Sequence, residues 1–488
     1  MEQTSYLPAP EQLCLVKMTE EEVAEEIERY IDYVDENGRS VHLPRQFVRH
    51  YMKRDDGALP TIVAISQLPI VLADGNVLAM KGLDRDRGII FQIPDELMAV
   101  LPKREDCTPK AVATAMRFLC DEWLCDVSTD YVGKCILIAD ALTLIERNML
   151  AERPVFFITA GRRGGGKTTT LHMLVMAVFG TMAPAAAWSP NEEERRKALL
   201  SYFMAALPFI IWDNIPRGIQ ISCPHIERSC TTALYTDRKL GVSEMVATSA
   251  STIHHFTGNN IGPKGDLASR SLIVRLEVDR ADPENRPFKH SGIGWTEAHR
   301  GQIMAALYTL LLGNPALRKP MGGEKTRFKI WWRLCGSAVE NAAFQHAEYD
   351  ATHHDGVHPT APAKVIDFKD LFLSQDEDDE ESASLADALA GMAWKWPNGA
   401  MATANEIAKV INDQSEVALE SDKQLSVTLR EFLFPSLPLG HTASSKATGK
   451  RLKSHVGEPV KRGNQTLILR AERNTHTEVM DYWVETRA

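Results

Sequence analysis

The sequence predicts an α/β protein organised around a phosphate-binding loop, on three observations. First, Val155 to Ala160 form an unbroken apolar run suited to a buried parallel strand. It leads straight into Gly161-Arg162-Arg163-Gly164-Gly165-Gly166-Lys167-Thr168, which satisfies G-x-x-x-x-G-K-[ST]. Second, Thr169 to Phe179 carry apolar residues at helical spacing and stop at Gly180. Third, two further segments read as strands that end on polar groups: Leu207 to Trp212 on Asp213, and Thr252 to Thr257 on Asn259 and Asn260.

Each piece has a chemical reason. A loop that wraps a triphosphate must turn backbone N–H groups inward with no Cβ in the way, so it is rich in glycine, and the following helix N-terminus adds partial positive charge. The loop from Gly161 to Thr169 is therefore the expected ATP-binding segment, with Lys167 reaching the β/γ-phosphates and the Thr168 hydroxyl on Mg²⁺. Asp213, at the end of its strand, is the expected second acidic group of the Mg²⁺ site. An amide at a neighbouring strand tip can orient the attacking water, and Asn260 is the expected residue. Arg270 heads another apolar strand, Leu272 to Leu276, where a guanidinium can enter an adjoining subunit's site.

Composition frames this reading. At 488 residues the chain is too long for one ordinary core, and 44% hydrophobic with 25% charged residues is ordinary for a soluble protein. Apolar runs are too short to span a bilayer, so no membrane partner and a cytoplasmic place are expected. The eight cysteines include no C-x-x-C pair and read as buried free thiols. With a net charge of −10, any nucleic-acid contact must come from local basic patches.

In chain order, residues 1–105 read as an α+β domain of unassigned role, with a charged helix from Glu20 to Val34 and short strands around Asp74-Gly75. Residues 106–150 read as a helical collar, opened by Thr108-Pro109. Residues 151–346 form the ATPase domain, closed by two amphipathic helices expected to start at Thr296 and Thr326. The Trp331-Trp332 pair sits among apolar residues at helical spacing and reads as core. Glu192 to Glu194 read as a solvated helix start capped at Ser189. Residues 347–384 read as an acidic linker, where His353, His354 and His358 lack metal-ligand spacing. In the tail, 385–488, a capping box at Thr403 to Glu406 opens one helix, a second lies near 422–433, and a basic helix precedes a hairpin at Gly463-Asn464. From Lys446 to Arg462, six basic residues (Lys446, Lys450, Arg451, Lys453, Lys461, Arg462) face one acidic residue, Glu458. That order is expected of a winged helix-turn-helix on duplex DNA, with Ser444, Ser445 and Thr448 adding hydroxyls for phosphates.

The glycine loop, the WDN strand, FTGNN and GDLASRSLIVRL together resemble the AAA+-related helicases of superfamily 3, and more closely the primase-associated ATPases of phages, plasmids and integrative elements. The resemblance covers residues 151–346 well and the tail more loosely. It implies a P-loop AAA+-like core, a homo-hexameric ring, ATP hydrolysis at subunit interfaces, and translocation on a single DNA strand in the pore. It further implies a pore hairpin between Asp213 and Asn260, where Tyr235, Arg238 and Lys239 would track the backbone. Primase motifs are absent, so a separate primase or polymerase is the expected partner. One departure stands out: where AAA+ proteins generally place a glutamate after the strand aspartate, this chain has Asn214. The catalytic base is thus unassigned, and a nucleotide-switched DNA-binding initiator or regulator is the alternative reading.

Overall fold

Six consecutive buried residues, Val155–Ala160, make strand β1 of a five-stranded parallel sheet, and the rest of the larger unit is laid around it. The structure is a computed structural model. It describes residues 18–54, 62–161, 164–183, 185–239, 245–277, 287–320, 322, 326–352, 362–377, 380–413, 420–434, 441–457, 459–463, 465–474 and 479–487. The chain divides into two compact units: Met1–Gly262 with Arg270–Lys369, and Pro263–Ser269 with Asp370–Ala488. Among the described residues, no helix is long and apolar enough to cross a membrane.

Before the sheet come helices α1 (Pro109–Phe118) and α2 (Tyr131–Glu146). Thr108 caps α1 through its side chain and Asp130 caps α2, as the N-cap chemistry of those residues requires. Nearly every residue of α2 is buried, which is why its sequence is apolar all round and shows no polar stripe. The sheet elements then follow: β1, α3 (Lys167–Phe179), β2 (Ala185–Ala187), α4 (Glu192–Met204), β3 (Phe209–Ile215), the hairpin β4 (Leu234–Arg238) and β5 (Met245–Ser249), β6 (Ile253–Asn259) and β7 (Ser271–Leu276). The spatial order is β7-β1-β6-β3-β2, with every pair parallel. Strands buried on both faces lose their alternation, so β1, β3 and β7 read in the sequence as mainly apolar runs, whereas β6 buries His254, His255 and Thr257. Because β6 is inserted between β1 and β3, three strand ends converge at one edge: the glycine loop after Ala160, Asn259 at the end of β6, and Asp213 near the end of β3.

After the sheet, α5 (Gly292–Ala298), α6 (Arg300–Leu312) and α7 (Ser337–Thr352) pack against the helical block. Trp331 is fully buried and donates its indole N–H to Thr143 Oγ1 at 2.7 Å, so it is core as expected, whereas Trp332 is half-buried and donates its indole N–H to Glu340. Of the seven described cysteines, six are buried free thiols and Cys125 is half-buried.

Several expectations are corrected. The acidic N-terminal helix ends at Glu28 and does not reach Val34. Helix α4 is capped by the Asn191 side chain, which accepts from Glu193 N and Glu194 N, in place of Ser189. Thr296 lies inside α5, donating to Gly292 O and accepting from the Trp123 indole, so it satisfies a buried tryptophan and starts no helix. Thr326 donates to Phe328 O and likewise caps nothing. The stretch expected as an acidic linker carries α7 to Thr352 and further helical turns at Phe368–Glu377; the three histidines there lie outside the described residues.

The smaller unit is built from α8 (Glu380–Lys395), β8 (Ala402–Thr403), α9 (Ala404–Asn412), α10 (Glu420–Leu433), α11 (Ser445–Ser454), β9 (Pro459–Arg462), β10 (Gln465–Arg473) and β11 (Met480–Arg487). Its antiparallel sheet runs β8-β11-β10-β9, and its core gathers Leu389, Ile407, Leu429, Leu452, Leu469 and Tyr482. The Thr403–Glu406 capping box forms as read, and β9 turns into β10 at Gly463, φ 59°. The strand β11 completes the sheet and has no counterpart in the sequence reading.

Candidate functional site

The glycine loop owes its shape to two left-handed residues, Gly164 (φ 75°) and Gly166 (φ 86°), a conformation costly for any side chain bearing a Cβ. Gly166 is the N-cap of α3, so the helix begins on Lys167 and Thr168 with the positive end of its dipole toward the loop. Arg162 and Arg163 lie outside the described residues. Beside the loop opens a cavity of about 470 Å³ lined by Gly164 to Thr170 on one side and by Asp126, Phe288 and His290 on the other.

Lys167 donates its ammonium to Asn259 Oδ1 at 2.7 Å. The amide that meets the loop lysine is therefore Asn259, one residue before the expected Asn260. The register explains the choice: Asn259 is the last residue of β6, paired with Ala160 at the end of β1. Asn260 leaves the strand with φ 51°, donates its own N–H to Ala160 O at 3.1 Å, and is exposed. Its Oδ1 would lie 3.8 Å from a Cβ placed on Gly161, so it stands at the loop's entrance and not against its lysine. Two adjacent asparagines cannot be told apart from sequence; strand pairing alone separates them.

Asp213 is half-buried on β3, two strands from β1, and so roughly 10 Å across the sheet at the usual strand spacing. Asn214 follows in the left-handed region (φ 57°) and donates its backbone N–H to Asp213 Oδ1 at 2.7 Å. Asp213 also acts electrostatically on His172 of α3: burial pulls that imidazole below its ordinary pKa, and the carboxylate pulls the other way. The carboxylate thus lies within electrostatic reach of the helix that carries Thr168. A hydroxyl and a carboxylate oxygen are hard donors of the kind Mg²⁺ takes, so the residues present fit that ion.

Arg270 stands at the opposite end of the sheet. Ser271 pairs with Val155 while Leu276 pairs with Ala160, placing Arg270 about 20 Å from the glycine loop along the strand direction. It is half-buried and donates to Glu227 O at 2.5 Å.

The basic candidates separate by environment. Arg238 and Lys239 are exposed at the outer end of the β4–β5 hairpin, whose tip, 240–244, lies outside the described residues. Tyr235 is fully buried against Phe203 and Arg228, which corrects its expected place at the tip. On α11, Thr448 and Leu452 point inward while Lys446, Lys450 and Lys453 are exposed along one face. Arg451 belongs elsewhere: its guanidinium donates to Leu433 O and lies 4.5 Å from the Phe434 ring centroid, so it fastens α11 to the end of α10. Ser444 caps α11 by accepting the Ala447 N–H, and the buried Thr448 hydroxyl donates to Ser444 O within the helix. Arg462 is exposed and pairs with Asp387 at 3.0 Å; of Lys461 only the backbone, in β9, is described.

No protein-family model matches this chain, and no curated protein does. Among solved structures it is similar to the A form apo structure of the NrS-1 C-terminal region, at 12% identity over 92% of this chain and 93% of that one, TM-score 0.38. A second A form apo structure of that region gives 12% identity, 92% of each chain and a TM-score of 0.39. SCCmec type IV Cch, described as an active helicase, is similar at 11% identity over 93% of this chain and 77% of that one, TM-score 0.31.

Proposed function

We propose that the protein is an ATP-dependent DNA helicase or translocase that serves replication of a phage, plasmid or integrative element. One observation carries the reading: the Lys167 ammonium meets Asn259 Oδ1 at the sheet edge where Asp213 also ends, so cation, amide and carboxylate converge beside a left-handed glycine loop. There the loop amides and Lys167 would bind the β/γ-phosphates, Thr168 and Asp213 would hold Mg²⁺, and Asn259 would orient the attacking water. Mg²⁺ supplies charge neutralisation between the β- and γ-phosphates.

Arg270 cannot serve its own chain's triphosphate from the far end of β7, so its use would be in trans, at the site of an adjoining copy in a homo-hexameric ring. Arg238 and Lys239 would contact the single strand in the pore, and Lys446, Lys450 and Lys453 would hold duplex DNA on a winged-helix surface. Asn214, which lacks the carboxylate a water-activating base needs, favours a second reading: a nucleotide-switched initiator or regulator with little turnover.

DNA-stimulated ATP hydrolysis and strand unwinding, both lost in Lys167→Ala, are the expected result. Nucleotide-dependent DNA binding with no unwinding by the wild-type protein would select the second reading. Arg270→Ala should retain ATP binding and lose turnover. Mixing it with Lys167→Ala should restore part of the activity, since each supplies what the other's interface lacks.

A further inference from the structure

The cavity beside the glycine loop is larger than a triphosphate needs, and its outer wall is built with care. The segment 288–292 crosses it, held at three places. Asp126 accepts the backbone N–H of Lys289 on Oδ1 at 2.9 Å and that of His290 on Oδ2 at 2.8 Å. Glu122 accepts the Lys289 ammonium at 2.8 Å, and the His290 ring stacks on Trp295 at 4.6 Å between centroids. Gly292 lies so close to α3 that a Cβ there would come within 3.0 Å of Met173 Sδ. On this fixed segment Phe288 lines the cavity while remaining 49% exposed.

We propose that the outer half of the cavity is a nucleobase subsite, in which Phe288 stacks on the base and Asp126 is the positioning residue that sets the ring's place. The proposal rests on the reading of the glycine loop as a triphosphate site. Its lining here is largely apolar or aromatic (Val127, Met173, Phe288), and each Asp126 oxygen already accepts a backbone N–H. Stacking needs only a π-face, which every purine offers, so the subsite takes adenine and guanine nucleotides with little discrimination.

The test is binding of MgATP, MgGTP and magnesium tripolyphosphate to the full-length protein by calorimetry. Wild-type affinities for ATP and GTP should agree within about threefold. Phe288→Ala should weaken both about tenfold, the scale of one lost base–aromatic stack, and leave tripolyphosphate binding unchanged. Phe288→Trp should bind as wild type, whereas Phe288→Leu, which keeps apolar bulk without the ring, should resemble Phe288→Ala. Asp126→Ala should copy Phe288→Ala, and Asp126→Asn, with one acceptor left, should fall between. ATP binding unaltered in Phe288→Ala, or tripolyphosphate binding lost with it, would overturn the subsite. A preference above about thirtyfold for one purine would overturn the stacking mode. Lys167→Ala should weaken all three ligands; if it leaves ATP untouched, the triphosphate reading itself has failed, an outcome distinct from the others.

Discussion

Removing the Asn259 amide should cripple hydrolysis while sparing nucleotide binding. The contact at stake is a charge-assisted hydrogen bond, Lys167 Nζ to Asn259 Oδ1 at 2.7 Å, on a half-buried strand tip. Such bonds contribute about 1.5–3 kcal/mol. At about 1.4 kcal/mol per tenfold in rate, Asn259→Ala should lower kcat by roughly 10- to 150-fold. KM should move little, because the loop and Lys167 still hold the phosphates. Asn259→Asp keeps an acceptor at the same place but sets a negative charge against Lys167 and the triphosphate, and it should bind ATP poorly. Asn260→Gly is the control: glycine accepts the φ of 51°, and the backbone N–H to Ala160 O is retained. Its kcat should stay within about threefold of wild type, less than half the worth of one such bond. A steady-state ATPase assay with DNA present decides the matter. Wild-type kcat in Asn259→Ala beside an inactive Asn260→Gly would refute the register argument and return the role to Asn260.

Four further outcomes follow from other parts of the structure. Burial pushes the Glu146 carboxyl well above its ordinary pKa, only the Val71 N–H opposing it, so the folded state holds its proton at pH values where the unfolded chain has released it. That stability is full below about pH 4.5 and is lost as pH rises toward the folded pKa; Glu146→Gln, which has no proton to lose, should therefore melt increasingly above wild type as pH rises past about 4.5. Tyr235→Ala should destabilise the fold by about 3–5 kcal/mol in denaturant unfolding, as emptying a core aromatic site does. Arg238→Ala and Lys239→Ala should leave stability within about 0.5 kcal/mol and reduce DNA stimulation of the ATPase. On α11, Lys446→Ala, Lys450→Ala and Lys453→Ala should each lower the slope of log affinity for duplex DNA against log salt by about one, whereas Arg451→Ala should lower thermal stability, since its guanidinium fastens Leu433 and Phe434.

What the sequence reveals is what the backbone must do locally. Glycines at 164 and 166 announce left-handed turns, Gly180 the end of α3, Thr403 with Glu406 a capping box, and unbroken apolar runs the buried parallel strands. These are short-range statements, and the loop, β3, β6 and β7 follow from them. The misreadings have one cause, that a partner distant in sequence decides. Thr296 looks like a cap until Trp123 is seen to need its hydroxyl. Tyr235 looks like a DNA-gripping tip residue until Phe203 and Arg228 close over it. Arg451 counts toward a basic patch until Leu433 and Phe434 claim it. Asp126 and Phe288 gave no local signal at all, because the cavity they share joins segments far apart in the chain.

Asn214 shows the two levels acting on one residue. Its φ of 57° is a region that asparagine tolerates and longer side chains enter at a cost of about 1–2 kcal/mol. The same turn aims its N–H at Asp213 Oδ1, fixing the carboxylate. The backbone thus selects asparagine here before any catalytic demand is considered. Asn214→Glu should therefore not speed hydrolysis: the turn must relax to admit the side chain, and Asp213 loses its fixed oxygen as it does. Asn214→Gly, which keeps both the turn and the N–H, should retain turnover within about threefold if position 214 acts through its backbone. A tenfold or greater gain in kcat for Asn214→Glu would show that the position had been waiting for a base, and that the turn is no obstacle to it.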